Sequence, residues 1–175
     1  MKIKLVILDI DGVMTDGRKY YGLDGMSFAK TYCDKDFTAI KRLKGAGIHV
    51  CFLSGDNRIN AEMASKRNID FHAARGLNKA LFVGKFTEQY GVSPAEMLYI
   101  GDDLFDKSIM EAVGHAYCPA DATRSVQKIC PTANILRNKG GDNVVCELVD
   151  ILLDRGLIED CTMEDIENLD KKEVF

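Results

Sequence analysis

Two aspartates one residue apart, Asp9 and Asp11 in Asp9-Ile10-Asp11-Gly12, close an apolar run near the start of the chain. In an extended segment side chains two apart share a face, so both carboxylates can enter one site. Carboxylates placed together repel, and either one gains a proton or a cation sits between them. Mg2+ suits such a pair, because it prefers carboxylate oxygens and keeps waters that a phosphate can replace. Taken alone, the motif reads equally well as a solvated turn, since Asp-Gly is common in turns.

A second acid group, Gly101-Asp102-Asp103 with Asp106 following, closes another apolar run. An acid near a helix N-terminus satisfies open backbone donors and the helix dipole, which accounts for Asp103 or Asp106 singly. It does not account for two acid clusters ending two strands, and that repetition points to a divalent-cation site. Ser54, in Ser54-Gly55-Asp56-Asn57, leads from a further run into a helical stretch. A lone serine there most simply caps the helix. The same hydroxyl, with the Gly55 amide, could hold phosphate oxygens. Lys79 falls in the first turn of a later helix, against the dipole, and so is a candidate to neutralise a phosphate or a carboxylate.

The elements that must position these residues alternate. Apolar runs at 3–8, 48–53, 70–73, 97–100 and 114–117 predict strands, the first two buried. Helices are predicted near 36–46, 58–67, 78–90, 104–112, 121–128 and 142–155, the first stopping at Gly45 and Gly47 and the third at Gly91. Residues 18–31 read as a hairpin around Gly22-Leu23-Asp24-Gly25. The fold class is therefore α/β: an open, mainly parallel sheet with helices on both faces, whose sites form at the carboxyl ends of the strands. At 175 residues, 46% hydrophobic and 29% charged, the chain suits one soluble domain. A net charge of −4 argues against a nucleic-acid partner. No run approaches the length of a membrane span, and MKIKLVILDID lacks the apolar core of a signal peptide. Six scattered cysteines without a CxxC pair are expected to be reduced, and the expected address is the cytoplasm.

An aspartate pair, a hydroxyl, a lysine and a second acid cluster, in that order, resemble the four motifs of the haloacid dehalogenase-like superfamily. DIDGVMTDG resembles the first, FLSGD the second, Lys79 in GLNKAL the third and YIGDDLFD the fourth. TDGRKYYGLDG is similar to the hairpin of a branch of small tetrameric sugar-acid phosphatases. The resemblance spans about residues 1–155 and implies a Rossmann-like three-layer sandwich with a hairpin flap after the first strand. It implies that Asp9 is the nucleophile, Asp11 the general acid and base, and Lys79 a screen for the repulsion between carboxylate and phosphate. Ser54 and Gly55 would hold phosphate oxygens. Mg2+ would be held by Asp9, the Asp11 carbonyl and Asp102, with Asp103 orienting Lys79 or a water and Asp106 a weaker candidate. The implied substrate is a phosphorylated sugar acid, of 3-deoxy-octulosonate 8-phosphate or nonulosonate 9-phosphate type.

Ser54 and Lys79 stand 25 positions apart, already filled by a helix and a strand, and only the hairpin follows the first motif. No cap domain fits. In the similar enzymes neighbouring copies close the pocket, so a homotetramer is expected, with Tyr20, Tyr21 and Phe28 as interface anchors. That branch also tends to carry GGxGAxRE near the last helix. Here Gly140-Gly141-Asp142-Asn143-Val144-Val145-Cys146-Glu147 puts cysteine in the arginine's place. Cysteine cannot make the arginine fork that reads a carboxylate. Arg137, Lys139 or Lys35 would then supply the positive charge, or the substrate differs from the usual octulosonate phosphate. Residues 156–175 read as a polar tail that either packs over a neighbouring site or is disordered, with composition favouring disorder. Two other readings compete. One is a non-catalytic oligomerisation domain similar to the C-terminal domain of sialate cytidylyltransferases. The other is a signalling receiver domain, although its phosphoacceptor ends the third strand and the paired acids here end the first.

Overall fold

In the computed structural model, which describes residues 2–174, the first strand, β1 (Leu5–Leu8), lies at the centre of the sheet and is wholly buried. A two-stranded hairpin follows, β2 (Tyr20–Tyr21) and β3 (Ser27–Ala29), outside the main sheet. The chain continues through α1 (Asp34–Gly45), β4 (His49–Ser54), α2 (Ile59–Lys66) and β5 (Asp70–Ala73). It then crosses over through α3 (Phe82–Tyr90) to β6 (Met97–Ile100), α4 (Lys107–Met110), β7 (His115–Tyr117), α5 (Arg124–Gln127), α6 (Val144–Asp154) and α7 (Met163–Asp170). The sheet order is β5-β4-β1-β6-β7, parallel throughout, with Leu5 opposite His49 on one side and Met97 on the other.

Alternation along β1 builds two apolar layers. Val6 and Leu8 face Phe37, Ile40 and Leu43 of α1 and Leu148 and Leu152 of α6. Leu5 and Ile7 face Phe82, Val83 and Phe86 of α3, with Tyr99 and Ile109. A strand buried on both faces must be apolar at every position, which is why Leu5-Val6-Ile7-Leu8 reads as a continuous run. The chain reverses its direction of winding between β1 and β6. Such a switch point leaves a crevice at the carboxyl ends of the strands.

The helix expected over 78–90 begins as a 3-10 turn, Lys79–Leu81, where the Asn78 side chain accepts the Ala80 N–H at 3.0 Å. The one expected over 104–112 likewise begins as a 3-10 turn at Leu104–Asp106. No cap domain interrupts the described residues between β1 and α1 or between β4 and Lys79. No helix of the described residues is long and apolar enough to cross a membrane. The expectation of a disordered tail is overturned. Thr162 and Asp165 form a reciprocal cap for α7, and the acids of this segment close on cations of the body. Lys41 pairs with Asp170 and, at 3.1 Å, with Glu173, which also meets Arg67 at 2.8 Å. These ion pairs hold a polar segment that has little apolar surface to bury.

Candidate active site

The sequence-marked loops meet at the carboxyl edge of the three central strands. Asp9 and Asp11 follow β1, Ser54 ends β4, Asp102 follows β6, and Lys79 enters from the turn after β5. They line a cleft of about 610 Å³ with Gly55, Asp56, Asp103, Asp106 and residues of the hairpin.

On the β1–β6 side, two carboxylates and a phenol surround one ammonium, with a third carboxylate, Asp102, close to the first two. Lys79 Nζ lies 3.3 Å from Asp9 Oδ2 and 2.6 Å from Asp106 Oδ1, and donates to the Tyr99 hydroxyl oxygen at 2.9 Å. Tyr99 in turn donates to Asp106 Oδ1 at 2.6 Å. Asp106 Oδ2 accepts the N–H groups of Asp102 and Asp103 at 2.9 and 3.1 Å. Asp106 is thus fully engaged, and it is Asp106, not Asp103, that orients Lys79. Asp103 is exposed and caps Leu104 N–H at 2.6 Å. The reason is local: the 3-10 turn directs residue 106 inward, into space that Gly101 leaves free, where a Cβ would meet Asp106 at 2.5 Å.

Asp9 and Asp102 remain undercompensated. Burial, reinforced by Asp106, raises the Asp9 carboxyl well above the usual range although Lys79 opposes the shift. Burial and then Asp106 push Asp102 up to about 7. Asp102 Oδ1 is buried with no hydrogen-bond partner among the described residues. Asp9, Asp102 and Asp106 each offer an oxygen within 4.8 Å of the others. A divalent cation fits this donor set, because it would supply the charge and the partner that both carboxylates lack. The Asp11–Gly12 backbone abuts the same spot. Gly12 has φ +93°, and a Cβ there would lie 2.1 Å from the Asp102 carboxylate, so only glycine brings the chain this close.

On the hairpin side, charges balance. The Asp11 side chain turns to Lys30 at 2.7 Å and Lys19 at 3.2 Å, and Asp56 meets the same lysines at 2.8 and 3.5 Å. Burial would raise the Asp56 carboxyl, but its bond to Lys30 and the Arg58 backbone N–H hold it down, at about 2. Ser54 does not cap α2; its Oγ accepts Asn60 Nδ2 at 2.9 Å and Asp56 N–H at 3.3 Å.

Lys35, Arg137 and Lys139 are exposed, and none lines the cleft of its own chain. The Arg137 backbone N–H is tied to Glu147 at 2.8 Å, and Lys35 opens α1 beside Cys146, which donates to the Lys35 carbonyl at 3.1 Å. The cations lining the cleft besides Lys79 are Lys19, Arg58 and Arg75. Sequence reasoning missed them, along with Lys30, Asp56 and Asn60. The one available signal was that Lys19 and Lys30 flank the hairpin's paired positions Tyr20 and Ala29.

A doubly wound parallel sheet carrying a buried aspartate, a lysine partner and a cation-ready carboxylate at its switch point defines an enzyme, a hydrolase of phosphoric monoesters. A family of haloacid dehalogenase-like hydrolases matches residues 56–144. The chain is 33% identical over 152 residues to the 3-deoxy-D-manno-octulosonate 8-phosphate phosphatase of Haemophilus influenzae, covering 86% of this chain and 83% of that protein. It is 32% identical over 153 residues to the enzyme of the same name from Escherichia coli K12, covering 86% and 79%. Among solved structures it is similar to the cobalt-bound form of the Haemophilus influenzae phosphatase, with TM-score 0.81, 33% identity, and 87% and 88% of the two chains covered. The chain belongs to the haloacid dehalogenase-like hydrolases.

Proposed function

We propose that the protein is a Mg2+-dependent phosphatase of a sugar-acid phosphate, of 3-deoxy-octulosonate 8-phosphate or nonulosonate 9-phosphate type, acting through an aspartyl phosphate. The observation that carries this reading is the buried Asp9 held 3.3 Å from Lys79 beside an Asp102 oxygen without a partner. The names of the two bacterial relatives support the substrate class, and the cobalt-bound relative supports a divalent ion.

Asp9 accepts the Ile10 N–H on Oδ1 at 2.8 Å, which leaves Oδ2 as the attacking atom. Asp9 Oδ2 forms a bond to phosphorus as the ester P–O bond breaks, and Asp11 gives the departing sugar oxygen its proton. Water then attacks phosphorus, passes a proton to Asp11, and the Asp9–phosphorus bond breaks to release inorganic phosphate. Lys79 lowers the repulsion between Asp9 and the dianionic ester, and Ser54 with the Gly55 N–H holds non-reacting phosphate oxygens. Asp9, the Asp11 carbonyl and Asp102 would hold Mg2+, which when bound neutralises charge on the phosphoryl group.

Arg58 and Arg75 join Lys35, Arg137 and Lys139 as candidates to read the substrate carboxylate, the latter three lying outside the cleft of their own chain. Arg58 and Arg75 line the cleft and form no salt bridge among the described residues. The reading includes a homotetramer, supported by Tyr20, Tyr21 and Phe28 at 58%, 64% and 67% exposure on the hairpin. It also includes a cytoplasmic location, supported by six free thiols.

The test is phosphate release by purified protein with Mg2+ from an aryl phosphate and from a panel of phosphorylated octulosonates and nonulosonates. Asp9→Asn is expected to lower kcat by about 10⁴-fold or more. Unchanged activity in that variant would sink the reading.

A further inference from the structure

Lys30 lies behind the cleft lining with its side chain 0% exposed, although it rises from a hairpin whose aromatic side chains, Tyr20, Tyr21 and Phe28, face solvent. Taking an ammonium out of water costs several kcal/mol, so a lysine is kept there only where its partners repay it. Those partners are Asp11 Oδ1 at 2.7 Å, Asp56 Oδ2 at 2.8 Å and Asn60 Oδ1 at 2.8 Å.

Asn60 is fully buried and completes the connection. Its Oδ1 accepts from Lys30 and from the Tyr32 hydroxyl at 2.9 Å, two groups that donate there. That fixes which end of the amide is oxygen. Nδ2 must therefore face the other way, where it donates to Ser54 Oγ at 2.9 Å and approaches Asp11 Oδ2 at 3.5 Å. Ser54 Oγ also accepts the Asp56 N–H, so its two acceptor positions are filled. The hydroxyl proton is left to point into the cleft, as a donor.

We propose that Lys30 and Asn60 are positioning residues, which connect the hairpin to Asp11 and Ser54, place the Asp11 carboxyl and turn the Ser54 hydroxyl outward as a donor to phosphate. Both act through Asp11 or Ser54, and neither lines the cleft that would take the substrate. The proposal rests on the reading of Asp11 and Ser54 given above, and it assigns the hairpin a duty inside its own chain's site. Tyr32 and Lys19 support the same arrangement from its two sides, one on Asn60 and the other on Asp11 and Asp56.

The experiment follows Lys30→Met in rapid-mixing kinetics with an aryl phosphate, whose phenolate leaves without a proton. In the variant the first phenolate is expected to appear at close to the wild-type rate, as a burst of about one per site. Turnover, which needs Asp11 to take a proton from water, is expected to fall about 10²-fold. On an alkyl phosphate, whose leaving oxygen needs that proton, the burst disappears and kcat falls by at least as much. Lys30→Met leaves Asp11 and Asp56 facing only Lys19, so the double variant Lys30→Met/Asp56→Asn restores the charge balance. It is expected to recover the melting temperature but not the turnover. Asn60→Leu, which changes no charge, is expected to lose turnover in the same direction and decides the matter if both lysine variants fail to fold. Wild-type turnover in the folded double variant, or in Asn60→Leu, overturns the proposal. So does an equal slowing of burst and turnover in Lys30→Met, where Tyr32 still orients Asn60 and with it Ser54, because that would mark a role in the fold alone. A wild-type protein that hydrolyses no monoester defeats the phosphatase reading itself, and the proposal falls with it.

Discussion

The two halves of the cleft use the same side chain for opposite ends. On the β1–β6 side, three carboxylates, Asp9, Asp102 and Asp106, stand against one ammonium, Lys79, which pairs with Asp9 and Asp106. On the hairpin side, Asp11 and Asp56 share two, Lys19 and Lys30. Burial first, and then the unbalanced charge of Asp106, hold Asp102 up at about 7 in the first half; in the second, the bond to Lys30 overcomes burial and holds Asp56 down at about 2. Counter-charge, not the presence of carboxylates, decides where a divalent ion belongs. That is why the Asp9–Ile10–Asp11 pair divides, with one carboxylate on each side.

Removing Lys79 should widen the contrast most. Lys79→Met leaves Asp9 and Asp106 uncompensated, and breaking a buried pair in this way costs about 3–5 kcal/mol. Activity is expected to fall about 10²–10³-fold, the scale for losing one preorganised charge at a reacting oxyanion. Thermal unfolding without added metal, alongside kcat, checks both, and a loss of less than about 1 kcal/mol would mean the halves do not differ in charge as described.

A middling effect is expected from pH and metal. The folded Asp102 carboxyl binds its proton more tightly than the ordinary value of 3.8 allows, up to about 7. Its contribution to the stability of the metal-free protein is therefore complete below about 3.8 and is lost as pH rises toward 7. A divalent ion substitutes for that proton, so the gain in melting temperature on adding Mg2+ should grow between about pH 5.5 and 8. Asp102→Asn should raise the metal-free melting temperature at pH 8 by about 2–4 °C, equivalent to ~1 kcal/mol. It should also abolish most of the Mg2+ response. A response independent of pH would place the ion elsewhere.

The smallest effect belongs to Lys19, the more exposed member of the balanced pair. Lys19→Met is expected to lower kcat by no more than about 10-fold, because Lys30 still spans both acids, and to leave the Mg2+ response in melting temperature unchanged. A changed response would merge the two halves into one electrostatic unit.

Much of the site could be read in the sequence because each strand advertises its end. A run apolar at every position must stop where the sheet does, and the first polar residues beyond it stand at the edge where sites form, as Asp9, Ser54 and Asp102 do. Lys79 was legible because a cation opposing a helix dipole has no structural excuse. The division between Asp103 and Asp106 was not, since a short 3-10 turn and Gly101 decide which acid points inward. Lys30 was hidden by the irregular pairing at Tyr20/Tyr21, which sets the face that each hairpin residue presents. Helix α7 carried a readable start in Thr162-Met163-Glu164-Asp165, but ion pairs rather than an apolar stripe secure it, and composition concealed it.

The central place of β1 has a consequence during synthesis. Leu8 pairs with Phe52 and with Ile100, so the strand carrying Asp9 leaves the ribosome long before its second neighbour exists. At the usual pace of translation, roughly 5–20 residues per second, that wait lasts on the order of 5–20 s. Until β4 follows, the nascent chain displays an uninterrupted β-forming run, Leu5-Val6-Ile7-Leu8, with no strand to join, and until β6 follows one edge of it stays open. The strand best protected in the finished molecule is the one a growing polypeptide shelters least, and Lys4 before it with Asp9 and Asp11 after it are the gatekeepers against its self-association.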